Sequence, residues 1–262
     1  MKFKKSLGQN LLIDKNILKK IISLTSLKNK NIIEIGPGTG NLSFEILKSM
    51  PKKLLCIEKD KNFSKNLKDL FKNEKNFSII NADILKLNIK RLLSTDTVII
   101  GNLPYNISTQ ILIKFLRFSP WPPKFNRLIF MFQKEVGEKI IADFGSRKYS
   151  RLSIVTKSRL KILSYFYVSK NCFFPKPKVD SIVIEFYPVI KKNVNFKSIK
   201  SLEFITNIFF SNKRKMINKT FKKLKMVNEN FLKNQNIDLS LRPENLSENI
   251  YYKITEHYEK MK

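Results

Sequence analysis

The sequence predicts an α/β protein with a mostly parallel sheet, followed by a small helical domain. Three observations carry this. Short runs rich in Ile, Leu and Val recur along residues 31–102. Longer amphipathic segments lie between them. Near residue 190 the strand pattern gives way to a polar, basic stretch and then to helical periodicity alone.

NIIEIG (31–36), KLLCIE (53–58), FSIINAD (77–83) and TVIIGN (97–102) have the length and composition of strands covered on both faces. The intervening NLSFEILKSM and NFSKNLKDLFKN place apolar residues at helical spacing. Strand alternating with helix implies parallel strands joined by right-handed crossovers. RLIFMFQ (127–133) is a fifth strand, and KILSYFYV (161–168) and DSIVIEFYPV (180–189) are two more, close enough to pair antiparallel at one edge. KKNVNFKSIK reads as a linker. The domains expected are therefore residues 1–189 and 190–262. Beyond the linker, Ile217, Phe221 and Leu224 fall on one helical face with lysines around them.

Fifty-one Lys and Arg against 21 Asp and Glu give a formal charge of +30. Such an excess repels itself in a compact chain, and a polyanion relieves it. Cys56, Cys172 and the single His257 form no disulfide framework or zinc pattern, so no metal is expected and a reducing cytoplasm is. The start, MKFKKSLGQNLLID, lacks an apolar core of signal-peptide length. No apolar run approaches the roughly 18 residues of a membrane span, so no membrane partner is expected.

The first strand opens into EIGPGTG, with glycines 36, 38 and 40 at alternate positions before a helix. Glycine permits the sharp turn and the close approach of a ligand to the main chain. The spacing is GxGxG rather than GxGxxG, which points away from a dinucleotide. Glu58 ends the second strand, where a carboxylate can accept ribose hydroxyls, and Asp83 ends the third, where it can face an adenine edge. The fourth strand ends in GNLPYNIS. All four motifs lie at strand carboxyl ends, where open α/β sheets bind ligands.

EIGPGTG, Glu58 in CIEKD, Asp83 in NADIL and NLPY together resemble the S-adenosylmethionine-dependent adenine-N6 methyltransferases of RNA. The wider likeness is to the small-subunit (16S) ribosomal RNA adenine N6,N6-dimethyltransferases. It takes in SLGQNLLID, QKEV (133–136), FFPKPKVDS (173–181), SNKRKMINKTF (211–221) and LRPENLS (241–247). Leu7 and Leu11 stand where the family usually has phenylalanine, and Lys213 where it often has arginine. The resemblance implies a Rossmann-like class I methyltransferase fold and S-adenosylmethionine as cofactor. It implies two methyl groups on each of two adjacent adenines near the 3′ end of small-subunit rRNA, and the partners expected are that rRNA, free or within a partly assembled small subunit, with the enzyme a monomer. Asn10, Leu12, Gly36, Glu58, Asp83 and Asn102 would contact the cofactor, with Gln9 in the N-terminal lid.

In NLPY, the Asn102 side-chain oxygen and the Leu103 carbonyl can accept from the adenine amine, Pro104 fixes the backbone, and Tyr105 offers a stacking face. Phe173 matches the family's second aromatic. Lys213, Arg214, Lys215, Lys219, Lys222 and Lys223 would hold phosphates. Three other readings share features of the pattern: a large-subunit rRNA adenine methyltransferase conferring antibiotic resistance, a non-catalytic assembly factor and a DNA adenine methyltransferase. LRPENLS and KRKMINKTF favour the small-subunit family over the first. The intact Glu58, Asp83, Asn102 and Tyr105 speak against the second. The Asn-Leu pair leans towards RNA.

Overall fold

The computed structural model describes residues 10–189, 194–224 and 229–262. The chain divides into two compact units, Met1–Gly137 with Lys161–Pro188, and Glu138–Leu160 with Val189–Lys262. Among the described residues no helix is long and apolar enough to cross a membrane.

In the first unit a short strand β1 (Leu11–Leu12) leads into α1 (Lys15–Ile22). Asp14 caps α1, its carboxylate accepting from the Asn16 and Ile17 backbone N–H groups. Then come β2 (Asn31–Ile35), α2 (Asn41–Lys48), β3 (Lys53–Glu58), α3 (Lys61–Leu70), β4 (Phe77–Asn81), β5 (Thr97–Asn102), α4 (Ser108–Leu116) and β6 (Phe125–Gln133). After α5 (Lys134–Ile141) and α6 (Arg151–Lys157) the chain forms β7 (Leu160–Val168), β8 (Phe173–Phe174) and β9 (Ser181–Pro188).

Seven strands form one sheet in the order β4-β3-β2-β5-β6-β9-β7. The β2–β3, β2–β5, β3–β4 and β5–β6 pairs are parallel, and β9 runs antiparallel to β6. The order reverses at β2, between β3 and β5, which opens a crevice at the carboxyl ends. The expected edge pair is present, but β9 inserts between β6 and β7. Ile32, Ile100, Ile129 and Val183 are buried in one cluster that Leu18, Ile21, Leu42 and Ile46 of α1 and α2 join.

A second, two-stranded sheet pairs β1 with β8 antiparallel, matching Leu12 to Phe173 and Leu11 to Phe174. Sequence patterning did not indicate it, because two residues carry no period.

In the second unit, α6 packs with α7 (Ile199–Phe210) and α10 (Glu248–Lys260). The Tyr252 hydroxyl donates to the Ile154 carbonyl at 3.3 Å. Residues 138–160 therefore belong with the C-terminal helices, a grouping that differs from the expected single break at 189/190. They sit between two strands in chain order, so composition gives no boundary there. Of the expected linker, residues 191–193 lie outside the described residues.

NKRKMINKTFKKLK does not form one helix. Residues 212–214 are turn, Lys215 and Met216 lie outside any helix, α8 covers Asn218–Lys223, and α9 covers Glu229–Asn234. Ile217 and Phe221 are fully buried, as their spacing predicts.

Candidate active site

The carboxyl ends of β2, β3, β4 and β5 converge on one cavity of about 180 Å³. Its lining includes Asn10, Leu12, Gly36, Glu58, Asp83, Asn102, Leu103, Pro104 and Tyr105. Residues far apart in sequence meet there because parallel strands all end on the same side.

The turn after β2 is built on left-handed glycines, with φ of +69° at Gly36 and +58° at Gly38. A Cβ on Gly38 would stand 2.7 Å from Leu11 Cδ2, so a side chain would have to displace that of Leu11 as well as adopt a strained torsion. Glu58 fastens this turn. Its Oε2 accepts from Gly38 N–H at 3.2 Å, and its Oε1 from Asp60 N–H at 2.8 Å. Burial raises the Glu58 carboxyl above its ordinary range, against the lowering effect of these bonds.

Asp83 accepts from Leu85 N–H at 2.9 Å and pairs with Lys59 at 2.9 Å. The bond to Lys59 is the main reason its pKa is lowered. Its carboxylate is thus ionised and already engaged, and it still lines the cavity.

Asn102 is oriented from a distance of 92 residues along the chain. Its Nδ2 donates to the Asn10 carbonyl at 3.0 Å. Since the amide has one donor end and one acceptor end, this bond leaves Oδ1 as the acceptor of the pair. Leu103 is buried and its side chain fills the space a Gly101 side chain would need, with Leu103 Cδ2 2.6 Å from that Cβ position. The Tyr105 hydroxyl and Ser181 Oγ lie 2.6 Å apart, which fixes the ring from its far end.

Phe173 is not part of the cavity lining. It is 3% exposed and joins the core cluster with Leu12 and Leu18, whereas Phe174 is 57% exposed. The reason is the β1–β8 pairing. Successive strand residues face opposite sides, so the register that seats Phe173 beside Leu12 turns Phe174 outward. Gln9 lies outside the described residues.

Four residues beyond those predicted take part. Glu34, 1% exposed, lines the cavity floor, and its carboxyl accepts from Ser43 Oγ at 2.5 Å. Burial pushes Glu34 up to about 7. Asn41 Nδ2 donates to the Leu12 carbonyl at 2.9 Å, tying β1 to α2. Lys59 and Ser181 act as above. Of these, only Glu34 gave a sequence signal, a lone acid inside an apolar strand.

Three acids, Glu34, Glu58 and Asp83, therefore face one cavity in a chain of formal charge +30. An acid-lined pocket in a basic protein suits a small cationic ligand. The left-handed glycine turn admits a ligand against the backbone, and Glu58 offers acceptors for ribose hydroxyls. Those are the needs of S-adenosylmethionine, a nucleoside carrying a sulfonium and an amino group, and the residues fit it.

In the second unit Lys213 is a brace. Its Nζ donates to the Arg147 carbonyl at 2.9 Å and the Tyr149 carbonyl at 3.2 Å, and pairs with Glu244 at 2.9 Å. Its place in the basic run suggests a phosphate ligand, but three oxygens already surround its ammonium and make it a structural residue. KRKMINKTF and LRPENLS thus meet in space, and the Ile217 N–H donates to the Leu241 carbonyl at 2.9 Å as well. Arg214, Lys215, Lys219, Lys222 and Lys223 are exposed.

The family model for ribosomal RNA adenine dimethylase matches residues 1–260. A ribosomal RNA small subunit methyltransferase A of Pelagibacter ubique is 44% identical over 267 aligned residues, covering 100% of this chain and 99% of that protein. A dimethyladenosine transferase from Plasmodium falciparum superposes with a TM-score of 0.79 at 27% identity, covering 95% of this chain and 98% of that one. A 23S rRNA methyltransferase superposes with a TM-score of 0.71 at 20% identity, over 95% of this chain and 100% of its own, a likeness of fold alone.

Proposed function

This chain belongs to the ribosomal RNA adenine dimethylase family, and from that premise we propose that it methylates N6 of two adjacent adenines in a loop near the 3′ end of small-subunit rRNA. It is an S-adenosylmethionine-dependent enzyme of the methyltransferase fold. The observation that carries the assignment is the convergence of the glycine turn, Glu58, Asp83 and the Asn102–Tyr105 loop on one cavity.

When bound, S-adenosylmethionine supplies a methyl group on a sulfonium, which is electrophilic enough that no strong base is needed. The protein's task is orientation. An adenine amine is a weak nucleophile because its lone pair is delocalised into the ring. Asn102 Oδ1 accepts one amine N–H and the Leu103 carbonyl the other, which favours a more tetrahedral nitrogen with its lone pair aimed at the methyl. Both acceptors are held before the substrate arrives, Asn102 by the Asn10 carbonyl and Leu103 by burial and by Pro104. The amine proton then leaves to water. Tyr105 stacks on the extruded base, its ring anchored through Ser181. Phe173 would reach the other face of the base where RNA binding opens the two-residue β1–β8 pair and offsets the loss of the ring's core packing.

Exposed lysines of the second unit, Lys222 and Lys223 among them, would hold phosphates outside the pocket. We read the working form as a cytoplasmic monomer acting on a small subunit still being assembled. The test is to incubate the protein with labelled S-adenosylmethionine and under-methylated small subunits, then map the label. Label on the paired adenines is the expected result. Label on large-subunit RNA, or none, overturns the assignment.

A further inference from the structure

Strand β7 is the outer edge of the seven-stranded sheet. Its residues alternate in exposure, and one face presents Lys161, Leu163, Tyr165 and Tyr167. Leu163 is 41% exposed, and Tyr165 and Tyr167 are 49% exposed each. Soluble proteins usually guard an edge strand with charges, proline or a covering element. Here three of the four outward residues are apolar or aromatic, and the fourth is a lysine. The opposite face is accounted for: Phe166 packs on the core and Ser164 donates to Glu185 at 2.9 Å.

The stripe is charged as well as aromatic. Lys134 Nζ lies 5.4 Å from the centre of the Tyr167 ring, and the two tyrosine rings meet edge to face at 6.2 Å. Flat rings flanked by ammonium groups match a single-stranded nucleic acid, whose bases stack while its phosphates are neutralised.

The stripe also joins the catalytic rim. Tyr105 contacts Ser181, Ser181 pairs with Gln133 across β6 and β9, and the next residue, Lys134, sits over Tyr167. Ser181 shares its face of the sheet with Ser164 and Phe166, so Lys134, at the end of β6, is the link from the Tyr105 rim to the opposite face that carries Tyr167 and Tyr165.

We propose that Tyr167 and Tyr165, with Lys134 and Lys161, form a stacking track for unpaired rRNA nucleotides flanking the target adenines. The inference rests on the RNA-methylation reading, and its test is separable from it. Binding of full-length protein to a fluorescently labelled rRNA loop fragment is measured by anisotropy, alongside methyl-transfer kinetics on under-methylated small subunits. The Tyr165→Ala/Tyr167→Ala protein should bind RNA about fivefold or more weakly, with a matching rise in KM. Its affinity for S-adenosylmethionine and its Tm should stay at wild-type values. The Tyr165→Phe/Tyr167→Phe protein keeps both rings and should bind as wild type does.

Unchanged RNA binding in the alanine protein overturns the track, including the case where that protein instead loses affinity for a ribosomal protein. Equal loss in the phenylalanine and alanine proteins also overturns it, since stacking would then not be the cause. If wild-type protein binds the fragment but transfers no methyl, the enzyme assignment fails while the binding comparison still decides the track.

Discussion

The side-chain amide of Asn102 donates to the backbone carbonyl of Asn10 at 3.0 Å. One bond thus links the N-terminal segment to the loop proposed to meet the adenine. The nitrogen end of the amide is thereby engaged within the protein, and the oxygen end is left to accept.

Asn102→Ala should lower kcat about 10²–10³-fold, the usual loss for a preorganised acceptor or donor at a reacting centre. The cofactor Kd should rise less than about tenfold, since only the lid bond is lost. Single-turnover methyl transfer and calorimetric cofactor titration give the two numbers. Equal losses would assign Asn102 to cofactor binding alone.

Glu58→Gln should weaken S-adenosylmethionine binding by about tenfold or more, because a neutral amide replaces a charged acceptor. It also swaps one of the oxygens that hold Gly38 and Asp60 for a donor. At saturating cofactor kcat should recover towards wild type. A kcat that stays low would place Glu58 in the chemical step.

Glu34 gives a pH signature. Burial raises its carboxyl from 4.5 to about 7. Its folded pKa lies above its unfolded one, so in that window the folded chain retains a proton the unfolded chain has released. The associated stability is fully present at low pH and is lost as pH rises through about 7, at most about 3 kcal/mol. Glu34→Gln removes this titration. The Tm of the variant relative to wild type should therefore climb between about pH 5 and pH 8. A constant difference would show that Glu34 does not titrate there.

Phe173 is tested by size as well as by removal. Phe173→Ala should cost about 3–5 kcal/mol of stability, because the ring is core. Phe173→Leu keeps most of the packing and removes the aromatic face. It should raise KM for RNA about fivefold and leave cofactor affinity unchanged. A wild-type KM in the leucine protein would remove Phe173 from the site.

Lys213 and Lys222 should part company. Lys213→Ala should lower Tm, since it strips the partner from Glu244 and from two carbonyls. Lys222→Ala should leave Tm within about a degree and reduce the slope of log K against log salt by about one. Thermal melts and a salt series of RNA binding separate the two.

The seven strands, the glycine turn and the strand-end acids were legible in the sequence because each depends on local chemistry. A buried strand must be apolar, a left-handed turn needs glycine at Gly36 and Gly38, and an acid stands out at the end of an Ile-rich run. The family likeness added the pocket's cofactor and substrate. What the sequence could not display are contacts between residues that only folding makes neighbours. Nothing in SLGQNLLID predicts that the Asn10 carbonyl meets Asn102, or that Ser181 holds Tyr105. Nothing in FFP shows which ring faces the core, since a one-residue change of register would exchange Phe173 and Phe174. Lys213 looked like its basic neighbours, and only the arrival of Arg147, Tyr149 and Glu244 around its ammonium made it a brace. Sequence thus determined which chemistry this protein carries. The tertiary structure decided which atom of each side chain is already committed to the protein, because hydrogen bonds and register are settled by distance in space.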